Sequence, residues 1–264
     1  MPSATMLPAQ TLRGQVAVIT GGATGIGFGI AEELGRLGAK VVLASRNTDR
    51  LESARQALTA KGHEVFVIPT DVRQPDQVET LMNGAIEHYG QLDLLVNSAA
   101  GNFLVDAEKL SVNGWNAVVN SVLNGTFYCT RAAGLKMIEQ GTGGRILSIV
   151  ASYAWTGGPQ TVHSAAAKAG IVALTRTLAV EWAHYGIRVN ALCPGPTDTE
   201  GARPLWADPA DKARLTAKIP IGRFGTVAEV SQAASYLLSP FADFVNGEVM
   251  VIDGGEWLGK GLKG

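Results

Sequence analysis

The chain has little that would fix it to a metal or a charged surface. Cysteine occurs twice in 264 residues, at Cys129 and Cys193, which is not a metal-ligand spacing. So small a supply is simplest in a reducing compartment and leaves no metal expected. Charge of either sign is also scarce in the balance: 22 basic against 23 acidic residues leave a formal −1. That argues against broad capture of nucleic acid or acidic membrane, though not against a local basic pocket. No apolar run reaches the roughly 18–20 residues of a membrane span. Met1 to Gln10 lacks the charged start and apolar stretch of a secretory signal. The ending Gly261-Leu262-Lys263-Gly264 is not the serine-lysine-leucine peroxisomal address. The expectation is a cytoplasmic protein with no stable membrane association.

What is present is a core. Hydrophobic residues make up 46% of the chain and mean hydropathy is +0.13, enough for one large α/β domain over residues 1–264. Short β-branched runs alternate with longer amphipathic ones, the pattern of a doubly wound parallel sheet with helices on both faces, a Rossmann-type fold. Strands are predicted at 16–20, 41–44, 64–69, 92–97, 145–150, 187–192 and 249–252. Helices are predicted at 27–37, 48–61, 75–89, 112–140 and 162–185. Residues 194–224, rich in proline, glycine and charge, are too long for an ordinary connection and predict a lid or binding insertion.

The segment Thr20-Gly21-Gly22-Ala23-Thr24-Gly25-Ile26-Gly27 follows the first apolar strand and opens a helix. Glycines there let the backbone turn tightly and approach a pyrophosphate, which the helix N-terminus then holds. Gly21, Thr24, Gly25, Ile26 and Gly27 are the candidate cradle. The second strand ends Ala44-Ser45-Arg46-Asn47, without the acid that would bond a ribose 2′-hydroxyl. Arg46, with Ser45 as a second donor, instead suits the 2′-phosphate of NADP. A solvated arginine at a strand end is the plainer alternative.

The glycine spacing resembles that of the short-chain dehydrogenase/reductase family. By that resemblance Asp71 and Val72 contact adenine, Asn97 and Ala99 flank the adenosine ribose, and Pro194, Gly195 and Thr197 hold the nicotinamide carboxamide. Lys168, alone among alanines in His163-Ser164-Ala165-Ala166-Ala167-Lys168, matches the family lysine that binds the nicotinamide ribose. The family's catalytic tyrosine, four residues earlier, is missing: Ser164 stands there, and Ala151 stands where its partner serine belongs.

A different tyrosine, Tyr153, lies fifteen residues before Lys168, and Asn102 follows Ala99-Ala100-Gly101. This constellation resembles the 2,4-dienoyl-CoA reductases of the same superfamily, which implies that Asn102, Tyr153, Ser164 and Lys168 form the catalytic set. A dienoyl thioester accepts hydride far from its carbonyl, so charge develops on the thioester oxygen, where Tyr153 and Asn102 would stand as oxyanion donors. Taken singly, Tyr153 also reads as an aromatic packing on Trp155, Asn102 as a turn residue, and His163 as structural or solvent-facing. Phe103, Trp155, Leu205 and Trp206 are candidates for an acyl groove. Arg203, Lys212, Arg214, Lys218 and Arg223 are candidates for CoA phosphates. The resemblance further implies a homo-oligomer, a tetramer, built through the apolar helices. The rival readings are a 2-enoyl-CoA reductase, an ordinary ketone reductase, and a silent NADP-binding regulator.

Overall fold

Val16, Ala17, Val18, Ile19 and Thr20 are all buried, because the strand they form is covered on both faces. Ala17 and Ile19 enter one core and Val16 and Val18 the other, the period of two that a strand imposes. This is β1 (Val16–Thr20) in a computed structural model that describes residues 6–203 and 208–258. β2 (Lys40–Ser45), β3 (Val65–Pro69), β4 (Leu94–Asn97), β5 (Gly144–Ile149), β6 (Ile187–Pro194) and β7 (Val249–Ile252) complete one parallel sheet. Its order is β3-β2-β1-β4-β5-β6-β7. The chain reverses its direction of travel between β1 and β4, where Thr20 pairs with Asn97. A crevice opens at the carboxyl ends there, the usual ligand site of such sheets.

Helices α1 (Gly25–Arg36), α2 (Thr48–Thr59) and α9 (Val227–Leu237) bury Leu34, Leu51 and Leu237 on one face. Helices α3 (Pro75–Tyr89), α5 (Gly125–Gln140) and α7 (Val162–Glu181) bury Met82, Met137 and Leu178 on the other. The predicted helix over 112–140 forms as one helical run whose hydrogen-bond pattern changes midway. α4 (Val112–Val119) passes into a wide π turn (Asn120–Asn124) before α5 begins. Within the π turn Ser121 Oγ donates to the Ala117 carbonyl at 2.9 Å, a side chain bonding a ladder carbonyl, and the Asn124 side chain donates to that of Asn120. The helix predicted to 185 ends at Glu181 and continues as a single tight turn, Ala183–Tyr185.

Three of the described α-helices lie outside the predicted ranges, among them α9. α6 (Tyr153–Thr156) follows β5, and α8 (Pro209–Thr216) lies within the 194–224 insertion. That insertion is anchored by buried Ile219 and Phe224 and by a bridge between Thr197 and Gly225. Leu205 and Trp206, proposed for an acyl groove, lie outside the described residues. Among the described residues, no helix is long and apolar enough to cross a membrane.

Candidate active site

The cleft at the switch point has a volume of about 620 Å³. Its phosphate end is made by backbone. Gly21 has φ +66°, and a Cβ there would stand 2.8 Å from the Ala99 backbone. A Cβ on Gly27 would collide with the Gly21 carbonyl. Gly25 also takes a left-handed φ, +57°, conformations that side chains resist. Thr24 caps α1 without a side-chain bond, and no acid lies in the first turn. The helix N-terminus therefore keeps free N–H groups and a positive field at the cleft. A dinucleotide pyrophosphate fits this cradle.

The adenosine end is strongly basic. Ser45, Arg46, Asp71 and Val72, the residues expected at the adenosine, line it, joined by Arg50 and Arg73. Asp71 is bound by Arg73 through both carboxylate oxygens, the closest contact 2.5 Å. That bond, with Arg46 nearby, holds its carboxyl below the usual carboxylate range. Among the charged side chains lining the cleft, three arginines face one acid. Arg50 was not foreseen. It enters the first turn of α2, where its backbone N–H bonds the capping Asn47 at 2.8 Å. Two other predicted contacts lie differently. Asn97 points into the core, donating to Thr130 at 2.9 Å and Ser148 at 3.3 Å. Pro194 ends β6 and Gly195 and Thr197 follow it; none of the three lines the cleft, whereas Thr199 does.

Near Ile149 of the cleft wall, a contact joins side chains of different elements. The Tyr153 hydroxyl, at the start of α6, lies 3.0 Å from Ser164 Oγ. Ser164 and Lys168 are one turn apart on α7 and share a face. Both are buried. Burial pushes the Tyr153 hydroxyl up, opposed by its bond with Ser164, so the phenol stays a protonated donor at neutral pH. Trp155 does not pack as the alternative reading required. Its ring pairs with Trp257, centroids 5.6 Å apart.

Lys168 Nζ donates to the Ile149 carbonyl at 2.6 Å. Burial lowers its pKa to about 8, the expected cost of a cation in an apolar site. Cys193 lies close enough to be felt, yet burial pushes its thiol up to about 12, so it offers Lys168 no anion. Asn102 sits on the cleft rim, exposed and without a hydrogen bond. His163 is not solvent-facing. It is wholly buried, its ring edge-on to Phe103 with centroids 4.6 Å apart.

The insertion cations are mostly engaged locally. Arg203 pairs with Asp198, Arg214 with Asp211 and Arg223 with Glu229, while Lys212 lies 5.8 Å over the Phe224 ring. A second cleft, of about 610 Å³, lies at the amino ends of β5 and β6. Its Arg188 is spent on the carbonyls of Ala242 and Ser239. It stands at the wrong end of the sheet for the chemistry above.

Known proteins resemble this chain over nearly its whole length. Residues 21–256 match the family described as enoyl-(acyl carrier protein) reductase. A protein named a probable 2,4-dienoyl-CoA reductase of the (2E)-enoyl-CoA-producing type, from Bacillus subtilis (strain 168), is 44% identical over 246 residues, 92% of this chain and 97% of the relative. A peroxisomal 2,4-dienoyl-CoA reductase of the (3E)-enoyl-CoA-producing type, from Pongo abelii, is 41% identical over 94% of this chain and 85% of the relative. The crystal structure of a short chain dehydrogenase from Bacillus anthracis superposes with TM-score 0.86 at 44% identity, covering 94% of this chain and 98% of that one. An NAD(P)-dependent gluconate 5-dehydrogenase from Beutenbergia cavernae, so described and with bound NADP at low occupancy, gives TM-score 0.89 at 33% identity, covering 95% and 99%.

Proposed function

The chain belongs to the short-chain dehydrogenase/reductase family and is an oxidoreductase, and on that footing we propose that it reduces 2,4-dienoyl-CoA thioesters with NADPH, in fatty-acid β-oxidation. The observation that carries this reading is the 3.0 Å contact of Tyr153 with Ser164. The family's ordinary tyrosine position holds a serine, and the phenol that replaces it arrives from another element and ends beside that serine. A phenol so displaced suits an acceptor oxygen remote from the carbon that takes hydride.

The nicotinamide, when bound, supplies a hydride, which a dienoyl thioester takes at C5. The chain's own groups do the rest. The glycine cradle and α1 hold the pyrophosphate, and Arg46 and Arg50 offer donors for a 2′-phosphate. Lys168, anchored on Ile149, serves the nicotinamide ribose. Tyr153 and Asn102 donate to the thioester oxygen as it gains negative charge, leaving a dienolate that is then protonated. Ser164 orients the Tyr153 hydroxyl. The exposed apolar residues Val112, Phe127, Leu135 and Val180 on α4, α5 and α7 fit burial in a homo-oligomer, a tetramer by family likeness.

The test is NADPH oxidation with 2,4-hexadienoyl-CoA beside crotonyl-CoA and a panel of ketones. Preferred turnover of the dienoyl ester is expected. Preferred turnover of crotonyl-CoA would make the protein a 2-enoyl-CoA reductase, and turnover of ketones alone would overturn both.

A further inference from the structure

His163 is 0% exposed, and neither ring nitrogen has a hydrogen-bond partner within the protein. Burying two polar atoms unpaired is costly, and an apolar side chain would fill the same space without that cost. An imidazole kept there calls for a partner that arrives in another state of the site. Directly above it lies a segment with the complementary deficit. Ser98 and Ala99 are tied to Thr20 by their N–H groups, and Val105 is tied to the Gln160 carbonyl at 3.1 Å. Between those anchors, residues 100–104 make no hydrogen bond, and all are exposed. This segment carries Asn102 on the cleft rim, and its Phe103 ring is the piece that touches His163. Gln160, which holds the far anchor, is one of two non-glycine residues among those described with a left-handed backbone, φ +63°. Strain of that kind collects at functional loops.

We propose that His163 is a positioning residue that latches the 100–104 loop: when cofactor and thioester fill the cleft, a ring nitrogen takes a backbone group of this loop and fixes Asn102 toward the thioester oxygen. The role of Asn102 rests on the function proposed above; the latch itself does not.

Hydrogen exchange of the wild-type enzyme, free and with NADPH, with hexanoyl-CoA and with both, tests the latch directly. Residues 100–104 are expected to gain protection when the cleft is filled. His163→Phe keeps the ring and its packing on Phe103 but removes both nitrogens, and His163→Asn restores a polar partner. The phenylalanine variant is expected to lose the ligand-induced protection. It should also lose about ten- to a hundredfold in kcat on a dienoyl-CoA, the scale of a small misplacement of a reacting group, with NADPH affinity unchanged. The asparagine variant should recover much of both. His163→Leu gives the same reading should phenylalanine not fit the space. A loop that stays open to exchange in every ligand arm of the wild type overturns the proposal, as does a phenylalanine variant that is protected and turns over like wild type. A wild type that reduces no dienoyl ester ends the substrate reading alone, since loop protection is read without turnover.

Discussion

The two ends of the cleft are built from different materials. The phosphate end is backbone: Gly21 and Gly27 hold positions where a Cβ would strike neighbouring main chain, and a helix terminus supplies the field. The end proposed for the chemistry is side chain: Asn102 lines the cleft from a loop, and Lys168 of α7 bonds the carbonyl of Ile149 in the cleft wall, with the Tyr153–Ser164 pair one turn away. A backbone cradle tolerates almost no change, because its constraints are steric and local. A side-chain site can be rebuilt if a new group reaches the same space from another element. That contrast accounts for a familiar cofactor end joined to an altered catalytic end, and it predicts where substitutions should hurt chemistry and where they should hurt binding.

The largest effect should come from Tyr153→Phe. On the proposed mechanism it removes one oxyanion donor and leaves the ring, so kcat on a dienoyl-CoA should fall about 10²–10³-fold, a loss of roughly 2.7–4 kcal/mol. NADPH affinity, read by fluorescence titration, should survive. Lys168→Ala should damage cofactor binding and turnover together. Near wild-type kinetics for Tyr153→Phe would return that residue to a packing role and erase the difference between the two ends.

Lys168 also gives a stability signature. Its folded pKa of about 8 lies below the usual value. Below pH 8 the lysine is protonated in both folded and unfolded chains, and the burial penalty stands in full. Between about 8 and 10.5 the folded chain has released the proton while the unfolded chain holds it, so stability rises with pH by up to about 3 kcal/mol. Above that window the contribution is flat. Denaturant melts of the cofactor-free enzyme should show this rise as the difference between wild type and Lys168→Met, because the buried Cys129 and Cys193 thiols, pushed up to about 12, lower the stability of both proteins above about pH 9. Parallel pH profiles for the two proteins would show that this lysine is solvated.

At the adenosine end, Arg46→Ala should weaken NADPH binding about ten- to a hundredfold, or roughly 1.5–3 kcal/mol, and barely change NADH binding. Because Arg50 and Arg73 face the same cleft, the lower part of that range is the expected one. Equal loss for both cofactors would move Arg46 off the 2′-phosphate.

These contrasts also explain what the chain made legible. The glycine segment, the strands and Lys168 were readable because each obeys a local rule: a positive φ, a period of two, a cation stranded among alanines. α6 was not, since four residues carry no period. Neither was the π turn at 120–124, where a polar side chain bonds a ladder carbonyl within an otherwise helical pattern. Asn97 illustrates the other failure. The family resemblance implied the ribose, but which way this side chain turns depends on neighbours such as Thr130 and Ser148, which come from distant segments. Arg50 and Arg73 escaped notice for the same reason, being brought to the cleft by turns rather than by any motif.

The smallest expected effect separates support from chemistry. Thr226 caps α9, accepting from the Glu229 N–H at 3.2 Å while Glu229 returns a bond to the Thr226 N–H at 2.8 Å. α9 packs on α1, where Val227 and Ser231 close over Gly29. Removing the cap with Thr226→Ala should cost about 1 kcal/mol of stability. Glu229 would keep its ion pair with Arg223, which limits the loss to the cap itself. The cost falls on the helix that backs the cofactor cradle and not on Tyr153, Ser164 or Lys168. Thermal melting should therefore drop by a few degrees while kcat at saturating NADPH stays at the wild-type value. A fall in kcat without a fall in melting temperature would mean that the backbone end reaches the chemistry directly, and the division between the two ends would no longer hold.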